Sequence, residues 1–287
     1  MTRSASVSPT LLVLLSVFST QLGSALAKRL FEQLNPYGIV YLRVGFAALV
    51  LLALWRPRWR QVDRATYPIL TLFGLALALM NLCFYLAIAR IPIGIAVALE
   101  FIGPLGVAVA HSRRWLDGLW VLLAAAGILL LAPIGDGLKL DPTGVSLALT
   151  AGGLWAAYIL LSARVGKALP GGSGLALAMT IGAIGLTPVG LLAGGSGLWS
   201  PSLLLFGFGV ALLSSALPYS LELEALRWMP VQVFGVLLSL EPVAAAATGF
   251  LVLGETLSLR AMLAILLVTI AAAGAAFFDE RDEGMGR

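Results

Sequence analysis

One histidine and one cysteine among 287 residues narrow the chemistry at once. His111 has no second ligand of its kind nearby, which argues against a zinc centre or a histidine-based catalytic triad. Cys83 stands alone inside an apolar run, so no intramolecular disulfide can form and the redox compartment is left open. Charge is equally scarce: 11% of the residues are charged against 60% hydrophobic, with a mean hydropathy of +1.00. An ordinary soluble domain is about half apolar, so this composition excludes one. The formal charge of +4 does not point to nucleic acid, because the basic residues lie in short loops between apolar runs. No cofactor is implied.

What the sequence has is long apolar runs. A helical bilayer span needs about 20 mostly apolar residues. Ten such runs are placed at about 9–26, 37–55, 67–89, 92–110, 116–134, 145–163, 174–194, 203–223, 230–251 and 259–278. They are too long and too continuously apolar for the alternating strands of a membrane barrel, and each must close its own backbone hydrogen bonds. The expected fold class is an all-α polytopic membrane protein. Arg3, the apolar Leu11 to Phe18 and the small residues around Ala25 and Ala27 mimic a secretory signal with a cleavage site. A first membrane span is the preferred reading.

The sequence matches itself at one offset of 138 residues: Pro92 falls on Pro230, Pro104 on Pro242, Asp117 on Glu255, and Ser24-Ala25 on Ser162-Ala163. Two five-helix repeats are expected, residues 1–138 and residues 139–287, the second ending in a short tail. Five is odd, so the halves enter the membrane with opposite orientation, the inverted-topology repeat of secondary transporters. With the N-terminus inside, inner segments carry twelve Lys and Arg and outer segments five, which predicts both termini in the cytoplasm. The run Asp279 to Glu283 reads as a solvated end of the chain.

Glu100 is the only ionisable residue between Gly94 and Ala110. A carboxylate at that depth is costly unless paired, protonated or wetted, so it is a functional candidate by default. Pro104 cannot donate to the carbonyl four residues earlier, that of Glu100 itself. A carboxylate and a freed carbonyl are therefore expected together, both attractive to ammonium groups or cations. Glu241 precedes Pro242 at the matching place in the second half, offset by three residues and so on nearly the same helix face. Hydrogen-bonded plugs at helix crossings are the competing reading for both acids. Arg43 lies about seven residues into the second run, placed either to snorkel outward or to grip a carboxylate. Glu222 with Arg227 is a candidate inner gate or an interfacial pair. Asn81 with Tyr85, and Trp155 with Tyr158, share helix faces and are candidate cavity linings, with Tyr219 beside Glu222 in the same role. Small residues at Gly94 and Ala98, Gly106 and Ala110, and Ala244 to Ala247 are expected at helix contacts. Asp117 and Glu255 are expected to cap helix starts.

These stretches, Met80-Asn81 with Phe84-Tyr85, Ile93 to Glu100 through Gly103-Pro104, Ala216 to Glu222, and Glu241-Pro242 before Gly254 to Leu257, closely resemble the drug/metabolite transporter superfamily of EamA type. Within it the chain is most similar to the inner-membrane threonine and homoserine exporters. The resemblance implies a bacterial cytoplasmic-membrane exporter of small neutral amino acids, driven by protons and cycling by alternating access. It implies substrate and proton roles for Glu100, Glu241, Arg43, Asn81 and Tyr85, and a helix-breaking role for Pro104 and Pro242. A same-fold exporter of drugs or other metabolites is the alternative. An enzyme would need a cluster of acid–base or metal-binding groups that the sequence lacks. Partners are the cargo, protons and the lipid bilayer; the oligomeric state stays open.

Overall fold

The computed structural model describes residues 8–30, 34–91, 93–111, 115–131 and 141–238, then residues 240, 241, 243 and 244 and scattered positions between 259 and 271. The described residues are helices joined by short turns. They are α1 (Pro9–Leu30), α2 (Pro36–Trp55), α3 (Tyr67–Ile88), α4 (Ile93–Glu100), α5 (Ile102–His111), α6 (Trp115–Leu131), α7 (Pro142–Ala168), α8 (Ser173–Ala193), α9 (Pro201–Ala211), α10 (Leu217–Trp228) and α11 (Val231–Leu238). Among the described residues, five continuous helical stretches are long and apolar enough to cross a bilayer: Pro36–Trp55, Arg64–Ile88, Pro142–Ala168, Ser173–Ala193 and Pro201–Trp228. Pro242, Glu255, the tail from Asp279 and the side chains of His111 and Asp117 lie outside the described residues.

Local chemistry sets the helix starts. Asn35 accepts from the Gly38 amide and Asp141 from the Thr143 amide, with Pro36 and Pro142 in the first turn where a missing N–H costs nothing. Proline also sets the breaks. The fourth apolar run divides at Phe101 into α4 and α5, three residues before Pro104. The eighth run stays helical throughout, but residues 212–216 form a π turn between α9 and α10, just ahead of Pro218.

Packing follows the repeat. Under the 138-residue offset α1 corresponds to α7, α2 to α8, α3 to α9 and α10, and the α4–α5 pair to α11. Helix α3 packs on α7 as α10 packs on α1, α3 on α8 as α9 on α2, and α2–α8 maps onto itself. The pairings therefore come in exchange-related sets across the two halves.

Several of these crossings are close enough to require glycine. A Cβ on Gly103 would stand 1.9 Å from the Gly152 carbonyl oxygen, and one on Gly152 would stand 2.6 Å from the carbonyl oxygen of Glu100. The α4–α5 break is thus pressed against α7 through bare backbone. Gly106 behaves differently from expectation: it is exposed, a Cβ there would meet nothing within 4 Å, and Ala110 is exposed too. Lipid and protein interior are equally apolar, so a small residue in a span does not reveal which one it faces. Gly103→Val and Gly152→Val are expected to lower the melting temperature in detergent sharply or to prevent accumulation, the overpacking cost being about 1–3 kcal/mol or more. Gly106→Val should melt like the parent; equal melting of all three would contradict this packing.

Candidate functional site

The polar residues of the apolar runs collect in one buried network. Its centre is Arg43 on α2, 6% exposed. Its Nε donates to Ser215 Oγ at 2.7 Å, Nη1 to Tyr85 Oη at 3.1 Å, and Nη2 to the Ser214 carbonyl at 2.5 Å and, at a longer 3.4 Å, to Tyr219 Oη. The guanidinium also lies over the Tyr85 ring, 5.6 Å from its centroid. Arg43 therefore does not snorkel. Its bonded acceptors are all neutral oxygens, and among the described residues one Nη1 hydrogen is left over.

The acceptor at Ser214 exists because of Pro218. Proline removes the amide that an α-helix would aim at the carbonyl four residues back, and the π turn shifts the neighbouring pattern, with the Leu217 amide bonding Leu212. Two backbone oxygens are then claimed from other helices: Ser214 by Arg43, and Leu213 by Ser19 Oγ at 2.6 Å. Helix α1 comes close enough for this because position 23 is glycine; a Cβ there would stand 2.7 Å from Ser214 Cβ. Ser214 and Ser215 were not among the residues singled out from sequence. The rule applied to Pro104 would have found Ser214 if applied to Pro218.

Asn81 on α3 donates to the Leu77 carbonyl at 2.8 Å and to Tyr219 Oη at 3.1 Å. The two partners, Asn81 and Tyr219, stand 138 residues apart. The Tyr219 ring packs against Tyr158 at 5.3 Å, and Tyr158 Oη donates to Glu222 Oε2 at 2.7 Å. Ser16 Oγ donates to the other Glu222 oxygen at 2.6 Å. Glu222 is thus a carboxylate with two hydroxyl donors, joining α1, α7 and α10. It sits deeper than the end of its apolar run suggests, because α10 continues to Trp228. The proposed pairing with Arg227 is replaced: Arg227 bonds Glu224 at 2.7 Å and the carbonyls of Gly166, Leu169 and Gly171, closing the α7–α8 turn.

Glu100, 7% exposed at the end of α4, has a different environment. Among the described residues none donates a hydrogen bond to its carboxylate. Its freed backbone carbonyl is not a second ligand here, since it is packed against Gly152 of α7. The expected carboxylate-plus-carbonyl pair reduces to the carboxylate. Beside it, Phe101 and Trp155 meet edge to face at 4.9 Å. Glu241 is half-buried and has a long contact of 3.5 Å from Gln21 Nε2. Arg43 attracts Glu100, Glu222 and Glu241, and the other two acids repel Glu241, so all four share one electrostatic neighbourhood. The three carboxyls do not converge: among the described residues no three His, Cys, Asp or Glu side chains are grouped to hold a metal ion.

Comparison with known proteins fits this geometry. The model of the EamA-like transporter family matches residues 8–132 and again 142–277. Over 276 residues, 96% of this chain and 93% of the relative, the sequence is 43% identical to the threonine/homoserine exporter RhtA of Salmonella typhimurium. It is also 43% identical to RhtA of Escherichia coli K12, over 93% of this chain and 90% of that one. An uncharacterized transporter of Bacillus subtilis, YwfM, is 29% identical over 82% of this chain and 81% of its own. A solved crystal structure superposes with a TM-score of 0.79, covering 96% of this chain and 98% of that chain; at 19% identity it speaks to the fold alone. With two matched family copies and relatives this similar over nearly its whole length, the chain is a member of the EamA-like transporter family, a membrane transporter and not an enzyme.

Proposed function

We propose that the chain exports small neutral amino acids of the threonine and homoserine type across the bacterial cytoplasmic membrane, by proton antiport with alternating access. The observation that carries this reading is the mismatch between Arg43 and Glu100. One buried cation is bonded only to neutral oxygens, and one buried carboxyl lacks a donor among the described residues. A zwitterion supplies what each lacks, a carboxylate for the remaining arginine N–H and an ammonium for Glu100. The exporter names of the relatives support the cargo class.

Charge balance supports the coupling. Three carboxylates against one guanidinium leave two negative charges when all are ionised, which a low-dielectric site disfavours. A proton at Glu100 reduces that charge by one, whereas the net-neutral zwitterion places its ammonium against the same carboxylate, so the two compete for one group. In the proposed cycle the amino acid enters from the cytoplasmic side with Glu100 ionised. A proton from outside then displaces the ammonium, and the cargo leaves. Glu222, held by Ser16 and Tyr158, fixes α1, α7 and α10 around the site.

The same reading takes the chain as ten spans in two inverted five-helix repeats, residues 1–138 and 139–287, with both termini cytoplasmic. Exchange-related helix pairings support the repeat. The excess of Lys and Arg in alternate loops supports the orientation.

Glu100→Gln is expected to abolish uncoupler-sensitive efflux of preloaded labelled threonine from cells while leaving membrane insertion intact; full efflux would end the proposal. Arg43→Lys keeps the charge and loses the fork, and is expected to raise the half-saturating threonine concentration roughly tenfold to a hundredfold, as loss of hydrogen bonds to a charged group does. Failure of threonine and homoserine to compete with one another in proteoliposomes, with a drug competing instead, would move the cargo to the other branch of the family. A phosphatase fused after Arg287 should be inactive and a fluorescent protein fused there should glow, as a cytoplasmic C-terminus requires; an active phosphatase would invert the topology.

A further inference from the structure

The turn between α2 and α3 reads Arg56-Pro-Arg-Trp-Arg-Gln-Val-Asp-Arg64, four arginines in nine residues with one acid among them. It is folded tightly. The Trp59 amide bonds the Pro57 carbonyl at 3.0 Å, the Val62 amide bonds the Trp59 carbonyl at 3.2 Å, and Tyr67 Oη donates to that same carbonyl at 2.6 Å. The single acid, Asp63, accepts from the Ala65 amide at 3.3 Å. All four arginines are exposed, and among the described residues no carboxylate forms an ion pair with any of them. Arg60 lies over the Trp59 ring at 5.1 Å, which holds its guanidinium beside an indole that is 57% exposed.

Two further observations concern the same end of the molecule. Arg56 takes φ 41° and ψ 57°, the left-handed conformation that ends α2, where glycine is the unstrained residue. Here the position carries an exposed arginine. Trp55, also partly exposed, covers the α7–α8 turn: a Cβ on Gly171 would stand 2.5 Å from its ring and one on Gly172 2.3 Å. That packing brings the exposed Arg164 and Lys167, near the end of α7, to the same end of the molecule.

We propose that the α2–α3 turn is a seat for the phosphate headgroup of an anionic phospholipid in the adjoining leaflet. Guanidinium forks match phosphate oxygens in pairs, and uncompensated basic clusters directly after a membrane span attract anionic lipid. Trp55 just before the cluster and Trp59 within it are of the residue type enriched among lipid headgroups. The seat belongs to the leaflet side of the turn and is independent of the cargo site.

The test uses the full chain in detergent equilibrated with equal amounts of phosphatidylglycerol and phosphatidylcholine, with retained lipid counted after purification. The parent is expected to retain phosphatidylglycerol preferentially. Arg58→Gln, Arg60→Gln and Arg64→Gln together should lower the ratio roughly tenfold or more, since each cation near an anionic surface contributes appreciably. Arg56→Gly should lower it roughly fivefold while melting at the parent temperature or above, because its backbone strain is relieved. An unchanged ratio in variants that melt like the parent overturns the proposal, as does removal of the retained lipid by excess inorganic phosphate, which would mark a free-anion site. If the triple variant does not fold, the parent decides: brominated phosphatidylglycerol must quench tryptophan fluorescence more than brominated phosphatidylcholine, and Trp59→Phe must reduce the difference. None of these measurements involves transport, so their failure leaves the export reading untouched.

Discussion

A guanidinium inside a membrane protein needs acceptors for its five N–H groups, and most of the architecture around Arg43 is the solution to that requirement. Apolar helices have no spare backbone oxygens, because each carbonyl is used within the helix. Pro218 and the π turn at residues 212–216 release two of them at mid-span, Gly23 lets α1 approach, and hydroxyls from Tyr85, Ser215 and Tyr219 complete the shell. Neutral acceptors stabilise the charge without consuming it. The long-range attraction toward Glu100, Glu222 and Glu241 is therefore left available to whatever enters.

The two well-surrounded carboxyls differ in how they are held, and the difference follows from their helices. Glu222 projects from a continuous helix into hydroxyls donated by α1 and α7. Glu100 ends a helix that is cut at Phe101, and its backbone is fixed by a glycine contact while its side chain is left without a donor among the described residues. The break that fixes Glu100 also closes its carbonyl against Gly152, so the constraint that positions the acid removes the second ligand.

The runs of apolar residues made the helices legible, since length and hydropathy are local properties; most described helices start within a few residues of the runs. Candidate polar residues were legible for the same reason: Arg43, Asn81, Glu100 and Glu222 are conspicuous in apolar surroundings, and all four are buried. The partners were not. Ser16, Gln21, Ser214 and Ser215 are small polar residues that a span tolerates anywhere, and only tertiary packing aims them. Arg227 was assigned to Glu222 by proximity in sequence, whereas three backbone carbonyls of the α7–α8 turn and the nearer Glu224 take it. The outward face of Gly106 was hidden because hydropathy does not distinguish lipid from a neighbouring helix.

Asn81 and Tyr219 hold each other across one full repeat interval. Exchanging the halves turns this pair into itself, while the contact of Tyr158 with Glu222 becomes one between Thr20 and Phe84, side chains with different chemistry. In a cycle whose two end states trade the roles of the halves, a self-mapped contact looks alike from either side of the membrane. A probe placed at Asn81 or Tyr219 would then be blind to direction. One placed on Glu222 would report it, because that pin has no counterpart to take its place.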